Sequence, residues 1–209
     1  SQLPTGKGMA ASTADIVAVI QAVATAIDEE LEPEEISEIA AGIEPTDGIF
    51  YPGIVQMNYM TGELIKSYGN APKMIIAMFD MGGSINTVEF HSEYHGHEDS
   101  PKELLEAIDQ LDVDFSPRQI AHVATLSALA NQKLVPKPHL EEIIKYSATL
   151  GALGVNVAHS GTMVGVLFAP DESMKHVMEA VEKIREKFPE LEYFETERLI
   201  SGGYDIEQR

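Results

Sequence analysis

The stretch Pro4–Asp15 combines polar side chains that could bind a ligand with small residues that leave the backbone accessible. Its small residues leave no side chain between the backbone and a ligand, and glycine also permits positive φ angles. Ser12 and Thr13 then open a long apolar-periodic segment, and both residue types favour the N-cap of a helix. Because N–H groups at a helix N-terminus bind anions, the stretch predicts an anion-binding loop or, alternatively, a plain capped helix after a tight turn. The small residues are Gly6, Gly8, Ala10 and Ala11.

Two later stretches offer side chains that could complete a site. Glu44 and Asp47 flank a Pro-Thr pair, and Pro45–Gly48 has the composition of a type I turn. The tight loop His159–Thr162 separates two apolar runs. Carboxylates can hold Mg²⁺ or accept a proton, whereas turn aspartates also bond to their own backbone. Each stretch therefore predicts either part of a site or a surface turn.

The hydrophobic pattern places these stretches among helices and strands. Residues 12–30 predict a helix with Ile16, Ile20, Val23 and Ile27 toward the core. A strand-rich middle follows, with a hairpin around Thr61-Gly62 and a buried strand at 73–80. The other predicted helices are 33–42, 101–111, 117–133, 138–151 and 171–187, and the other strands are 87–90, 155–158, 163–169 and 192–199. In chain order, the strands 155–158 and 163–169, the helix 171–187 and the strand 192–199 form a β-loop-β-α-β arrangement.

Bulk composition excludes several classes of function. The 209 residues carry a net charge of −20 and no cysteine. The charge opposes binding to nucleic acids and anionic membranes, and the lack of cysteine excludes disulfides and thiol chemistry. No signal-peptide pattern or membrane-length apolar run occurs, so the expected compartment is the cytoplasm. An anionic nucleotide would need Mg²⁺, backbone N–H groups and a cation; Lys7 is either that cation or a solvated surface lysine.

Two widespread nucleotide-binding motifs are absent from the chain. Gly-x4-Gly-Lys-Ser/Thr does not occur, because Lys7 is followed by Gly8 and no glycine has the required earlier spacing. Nor does a strand lead into Gly-x-Gly-x-x-Gly.

Two stretches resemble motifs of a known kinase family. The nucleotide-phosphate motif of the GHMP kinases is similar to the stretch Pro4-Thr5-Gly6-Lys7-Gly8-Met9-Ala10-Ala11-Ser12. The stretch 134–168, with Val135-Pro136-Lys137-Pro138 and Leu153–Thr162, resembles their third motif.

Four stretches are similar to the L-threonine kinase branch of that family, whose members make O-phospho-L-threonine from ATP for the aminopropanol linker of adenosylcobalamin. These stretches are Gly8–Asp15, Glu44–Asp47, Ala124–Ala128 and Val155–Gly161. The resemblance implies an α+β, GHMP-kinase-like fold. Residues 1–98 would be the remainder of an N-terminal α/β nucleotide-binding domain, and residues 99–209 a C-terminal ferredoxin-like α/β sandwich. It also implies ATP and Mg²⁺ as ligands and a small amino acid or amino alcohol as substrate.

The resemblance further implies a role for each candidate residue. Asp47 would be the catalytic aspartate, which accepts the proton of the substrate hydroxyl or only orients that hydroxyl. Ser12 and Glu44 would bind Mg²⁺. The phosphate-binding residues would be Lys7, Gly8, Met9, Ala10, Ala11, Ser12 and Thr13, and the substrate contacts Thr46, His159, Ser160, Gly161 and Thr162. Taken alone, the same residues also fit a helix cap, a surface glutamate and two ordinary turns.

The chain departs from the family pattern in two respects. Ala11 stands where the first serine of the usual pair is expected, so that only Ser12 supplies a hydroxyl. GHMP kinases also have an upstream stretch with their first motif and part of the adenine pocket. The resemblance predicts that this stretch is missing from the 209 residues, as in a fragment, a cleaved chain or a separately supplied segment.

These departures keep rival functions open. One is a kinase for another small alcohol such as homoserine, and another is a catalytically silent GHMP-fold protein that binds a metabolite or a partner. Homo-oligomers are compatible with either. A separate cluster, His91, Glu93, His95 and His97, has residue types that bind transition metals. Chance clustering on a polar loop is the alternative for these four residues.

Overall fold

In a computed structural model, the protein is described over residues 2–83 and 100–204. The described residues divide into two compact units. The first contains residues 2–5, 10–71 and 200–204, and the second contains residues 6–9, 72–83 and 100–199. Within the described residues, no helix is both long and apolar enough to cross a membrane.

The first unit packs two helices with a two-stranded hairpin. Helix α1 spans Ala11–Ala26 and α2 spans Pro33–Ala41. Strands β1 (Ile54–Met57) and β2 (Leu64–Gly69) pair antiparallel. Helix α2 starts with proline at its first position, behind a capping box in which the side chains of Glu32 and Glu35 each accept from the other's backbone N–H group. The core of this unit is formed by Val17, Ile36, Phe50 and Tyr51.

Helix α1 buries only part of the predicted face. Val17 and Ala24 are buried and Ile20 packs against the core, whereas Val23 and Ile27, also predicted to face the core, are 55% and 65% exposed. The prediction was wrong for Val23 and Ile27 because α1 carries apolar residues around most of its circumference, so helical spacing alone fits more than one face.

The second unit is built on a four-stranded antiparallel sheet. Its strands are β3 (Ile75–Asp80), β4 (Gly154–Val157), β5 (Met163–Phe168) and β6 (Glu192–Arg198), in the spatial order β4-β5-β3-β6. Every residue of β5 is buried, as expected for an inner strand. The main core contains alternate residues of β3 and β5 together with buried residues of the surrounding helices. At the end of the β3–β5 pair, Asp80 lies opposite Met163.

Four helices accompany this sheet in the described residues. Helix α3 spans Lys102–Asp109 and continues into a 3-10 turn, Gln110–Asp112. Helix α4 spans Pro117–Asn131, α5 spans Leu140–Thr149 and α6 spans Met174–Lys187. Ser116 and Ser173 cap α4 and α6 by accepting from backbone N–H groups of their first turns.

Most of the predicted elements are confirmed, with ends shifted by a few residues, and the α+β class is confirmed. The turn predicted at Pro45–Gly48 is wrong: these residues are not a turn, and the tight turn is formed by Gly48–Tyr51, where Tyr51 N–H donates to Gly48 O at 3.1 Å. The strand predicted at 87–90 and the cluster His91, Glu93, His95 and His97 lie outside the described residues. The domain boundary at 98/99 also falls there and stays a prediction; β3, which precedes it, pairs with β5 and β6.

Candidate active site

In the first unit, the N-terminus of α1 has no side-chain cap. Ala10 occupies the N-cap position in the left-handed region, with φ 54°, and makes no side-chain hydrogen bond to the first turn. Ser12 is the second helical residue and is exposed. The alternative in which Ser12 merely caps the helix is therefore wrong. The first turn keeps backbone N–H groups that no N-cap side chain satisfies, which suits an anion.

The same unit holds Asp47 at this first turn. The backbone N–H of Asp47 donates to Thr13 Oγ1 at 3.2 Å. Both Thr13 and Thr46 are 1% exposed, and Thr46 N–H donates to Tyr59 O at 2.9 Å, which anchors the backbone next to Asp47. Asp47 itself is exposed. Of the predicted residues in this unit, the structure thus brings Thr13, Thr46 and Asp47 together, with the two threonines in supporting positions.

Glu44 lies just after α2. Its backbone N–H donates to Ala40 O at 3.1 Å, and the residue is half-buried. Among the described residues, no three carboxylate or histidine side chains gather in a group suited to a metal ion. A hydroxyl from Ser12 and a single carboxylate from Glu44 are nevertheless the kind of donor set that Mg²⁺ takes, because it usually keeps water and substrate phosphate as its other ligands.

In the second unit, two glycine loops touch at backbone level. Gly8 has φ +78°, and a Cβ there would meet the Ala158 side chain and lie 2.9 Å from Gly161 Cα. A Cβ on Gly161 would collide with Lys7 O and Gly8 N. The N–H groups of Thr162 and Met163 donate to Lys7 O at 3.1 and 3.3 Å. The chain at Lys7–Gly8 therefore fits against the loop that precedes β5, and only glycine allows this approach.

A partly buried ion pair connects these loops to β3. The ammonium of Lys7 pairs with Asp80 and donates to Gly83 O at 2.7 Å. The Thr162 hydroxyl donates to the other Asp80 oxygen at 2.6 Å, and Gly82 N–H donates to it at 3.0 Å. Burial acts to raise the pKa of Asp80, but the hydrogen bonds from Lys7, Thr162 and Gly82 and the Lys7 charge outweigh it and keep the pKa below its ordinary value. Lys7 is thus already engaged by protein groups.

The loop before β5 is also held by α4 and the segment that follows it. Asn131 Nδ2 donates to His159 O at 3.1 Å, and Lys137 Nζ donates to Ala158 O at 3.0 Å. Lys137 is buried, and burial lowers its pKa to about 8. His159 is exposed and Ser160 half-buried, whereas Gly161 and Thr162 are buried.

Sequence reasoning missed Asp80, Asn131 and the role of Lys137. Asp80 ends a buried apolar strand just before Gly82-Gly83, and a lone carboxylate in that place was a usable signal. No comparable local signal marks Asn131. Met9, Ala10 and Ala11 occupy the loop and helix start predicted for phosphate binding, and their role stays a prediction.

Comparisons with known proteins place the chain among kinases of one family. The family model described as GHMP kinases N terminal domain matches residues 1–50, and that described as GHMP kinases C terminal matches residues 104–187. An L-threonine kinase of Citrobacter freundii is 24% identical over 218 residues, covering 99% of this chain and 74% of that protein. An L-threonine kinase of Salmonella typhimurium is 26% identical over 172 residues, covering 80% of this chain and 57% of that protein.

Solved structures show the same fold. The mevalonate kinase of L. major, in complex with R-mevalonate, superposes with a TM-score of 0.63 at 17% identity, over 94% of this chain and 66% of that one. The chain therefore spans just under two thirds of that structure. The GHMP-kinase-like fold is confirmed, and so, at the level of the family, is the predicted class of phosphotransferase with an alcohol acceptor. With both halves of the family matched in order and kinases as its relatives, the chain belongs to the GHMP kinases.

Proposed function

We propose that this protein is an ATP-dependent kinase that phosphorylates the hydroxyl of L-threonine to give O-phospho-L-threonine. The observation that carries the proposal is the hydrogen bond from Asp47 N–H to Thr13 Oγ1, which holds the predicted catalytic aspartate at the uncapped first turn of α1. The similarity to two L-threonine kinases supports the choice of substrate. The product would serve the aminopropanol linker of adenosylcobalamin.

The phosphates of ATP would be bound mainly by backbone groups. The first-turn N–H groups of α1 and its helix dipole favour negative charge. Gly8 lets the adjoining backbone lie against Ala158 and Gly161, an approach that a side chain would obstruct. Backbone N–H groups matter in this chain, because its net charge of −20 repels a nucleotide at long range. Lys7 would contribute little net charge, since Asp80 neutralises it.

Asp47 would handle the proton of the acceptor. As the threonine hydroxyl oxygen attacks the γ-phosphorus, an O–P bond forms and the bond between the γ-phosphorus and the β-γ bridging oxygen breaks. The hydroxyl proton passes to the Asp47 carboxylate and then to solvent, and ADP leaves with the bridging oxygen. Such transfer relies mostly on positioning and charge neutralisation. An exposed aspartate with its backbone fixed can serve either as the base or as the group that orients the hydroxyl.

Ser12 and Glu44 would hold Mg²⁺ beside the phosphates. When bound, the ion would neutralise charge that develops on the transferred group. Thr46 in the first unit and the loop His159–Thr162 in the second unit are each proposed to contact the amino acid. In this assignment Thr46 and Thr162 act through their backbone neighbours, since Thr46 is buried and the Thr162 hydroxyl is bonded to Asp80.

A coupled ADP-release assay with purified protein tests the proposal. L-threonine, L-homoserine, L-serine and mevalonate would be offered in parallel with Mg²⁺ and ATP. We expect the highest kcat/KM with L-threonine. Higher kcat/KM with homoserine would reassign the substrate, and no turnover with any of the four would support a silent GHMP-fold protein instead.

A further inference from the structure

Two buried donors hold the loop of residues 158–162 from behind. Asn131, the last residue of α4, and Lys137, shortly before α5, are 7% and 4% exposed. They donate to two successive carbonyl groups, Lys137 to Ala158 O and Asn131 to His159 O. We call these two side chains the Asn131–Lys137 clamp. Its target is the loop predicted to contact substrate and phosphate.

The backbone around Lys137 is fixed by one side chain. Gln132 Nε2 donates to Lys137 O at 2.9 Å, and Lys137 N–H donates back to the Gln132 carboxamide oxygen. This reciprocal pair closes the connection after α4 into a turn. The ammonium of Lys137 therefore reaches Ala158 from a defined origin rather than from a flexible surface segment.

Burial of the Lys137 ammonium destabilises the folded protein. No ion pair of Lys137 occurs within residues 2–83 and 100–204, and burial alone accounts for its lowered pKa. Removing a charge from water without an opposite charge is unfavourable, and an apolar side chain of similar length would avoid that penalty. Buried polar groups that cost stability are characteristic of functional sites.

The contacts of Ala158 show what the clamp would control. A Cβ on Gly8 would meet the Ala158 side chain, and Gly161 lies against Lys7 and Gly8. A shift of the 158–162 loop would therefore disturb the backbone of the opening glycine loop. Displacements of about 1 Å at reacting groups can lower rates roughly a hundredfold.

We propose that Lys137 is a positioning residue of the phosphoryl-transfer site, which holds Ala158 O and thereby sets the 158–162 loop against the Lys7–Gly8 backbone. This inference rests on the proposed kinase function. Lys137 acts through the loop and touches no reacting atom. Its contribution is to geometry, at the expense of folding stability.

The test compares Lys137→Met with Lys137→Gln, using the coupled assay and urea unfolding. Methionine keeps the length and loses both charge and donor, and we expect kcat/KM for L-threonine to fall about tenfold to a hundredfold. The urea midpoint should stay unchanged or rise, because the desolvated charge is gone. Glutamine retains an N–H donor and should restore part of the activity. Lys183→Met, an exposed lysine of α6, is the matched control and should behave as wild type.

Two results would overturn the inference: full activity in Lys137→Met, or a glutamine variant no better than methionine. If Lys137→Met fails to fold, Gln132→Ala keeps the ammonium but frees its backbone, and it should lower kcat/KM in the same direction; unchanged kcat/KM there contradicts the clamp. If wild type turns over none of the substrates, the kinase proposal fails separately. Hydrogen exchange at amides 159–162 then decides, with faster exchange in Lys137→Met supporting the clamp and unchanged exchange opposing it.

Discussion

Replacing Asp80 by asparagine tests the ion pair between Lys7, in the N-terminal glycine loop Gly6–Gly8 (the opening loop), and Asp80 at the end of β3. Asparagine keeps the shape and an acceptor oxygen for Thr162 and Gly82, but it loses the charge that faces Lys7. The Lys7 ammonium would then stay in a partly buried position, where it still donates to Gly83 O at 2.7 Å. The variant therefore isolates the electrostatic contribution of one carboxylate.

The side-chain exposures set the expected magnitude. Exposed pairs contribute about 0–1 kcal/mol, and removing one partner of a buried pair costs about 3–5 kcal/mol. Lys7 is 22% and Asp80 13% exposed, which places this pair between the two cases. We expect Asp80→Asn to lower the free energy of unfolding by about 2 kcal/mol, or the urea midpoint by about 1 M.

The lowered pKa of Asp80 determines how the stabilisation by the ion pair changes with pH. Because the folded-state pKa lies below the unfolded value, the stabilisation is complete above the unfolded pKa of about 4. It is lost as the pH falls through the folded-state value. The gap between wild type and Asp80→Asn should thus be constant from about pH 5 to pH 7 and close in more acidic solution.

Urea unfolding followed by circular dichroism at a series of pH values measures this gap. Asp171→Asn, which alters an exposed aspartate of the same unit, is the control and should match wild type within about 0.5 kcal/mol. An Asp80→Asn variant as stable as that control, or a gap that does not close in acid, would show that the pair carries no such energy.

Three other changes test separate contacts. Gly161→Ala puts a Cβ against opening-loop backbone and should lower the free energy of unfolding by about 1–3 kcal/mol in urea titrations, while Gly202→Ala, with no atom within 4 Å of the new Cβ, should not. Thr13→Val removes the acceptor of Asp47 N–H, and steady-state kinetics should show kcat down roughly tenfold with KM for ATP unchanged; an equal kcat contradicts the positioning of Asp47. Burial lowers the Lys137 pKa from 10.5 to about 8, so between these pH values the unfolded chain binds one proton more than the folded protein. The free energy of unfolding of the wild type should therefore rise by about 3 kcal/mol relative to Lys137→Met over this range. Below pH 8 no such rise is expected.

Local chemistry was sufficient to predict the order of the helices and strands that the structure describes. Proline at the start of α2, the hairpin residues around Gly62 and the alternating or continuous apolar strands act over a few residues, and the structure contains the corresponding elements. The buried face of α1 was beyond this reasoning, because its circumference is apolar nearly throughout.

Contacts between distant segments account for the remaining differences. Pro45–Gly48 does not form a turn, and Thr46 N–H instead donates to Tyr59 O in a distant part of the same unit. The ion pair of Lys7 with Asp80, at the end of β3, was not predicted, and the phosphate-binding role of Lys7 stays a prediction. The burial of Lys137 also depends on how α4, α5 and the loop before β5 pack, which its proline-flanked sequence does not reveal.

Phosphorus NMR of the reaction of the purified protein with Mg²⁺, ATP and L-threonine tests whether the protein transfers phosphate to the threonine hydroxyl. We expect one O-phospho-L-threonine for each ADP formed, and at least a hundredfold less product, roughly, with Asp47→Asn at equal protein concentration. ADP accompanied only by inorganic phosphate would contradict the proposed kinase activity. Phosphothreonine formed equally well by Asp47→Asn would contradict the proposed role of the catalytic aspartate.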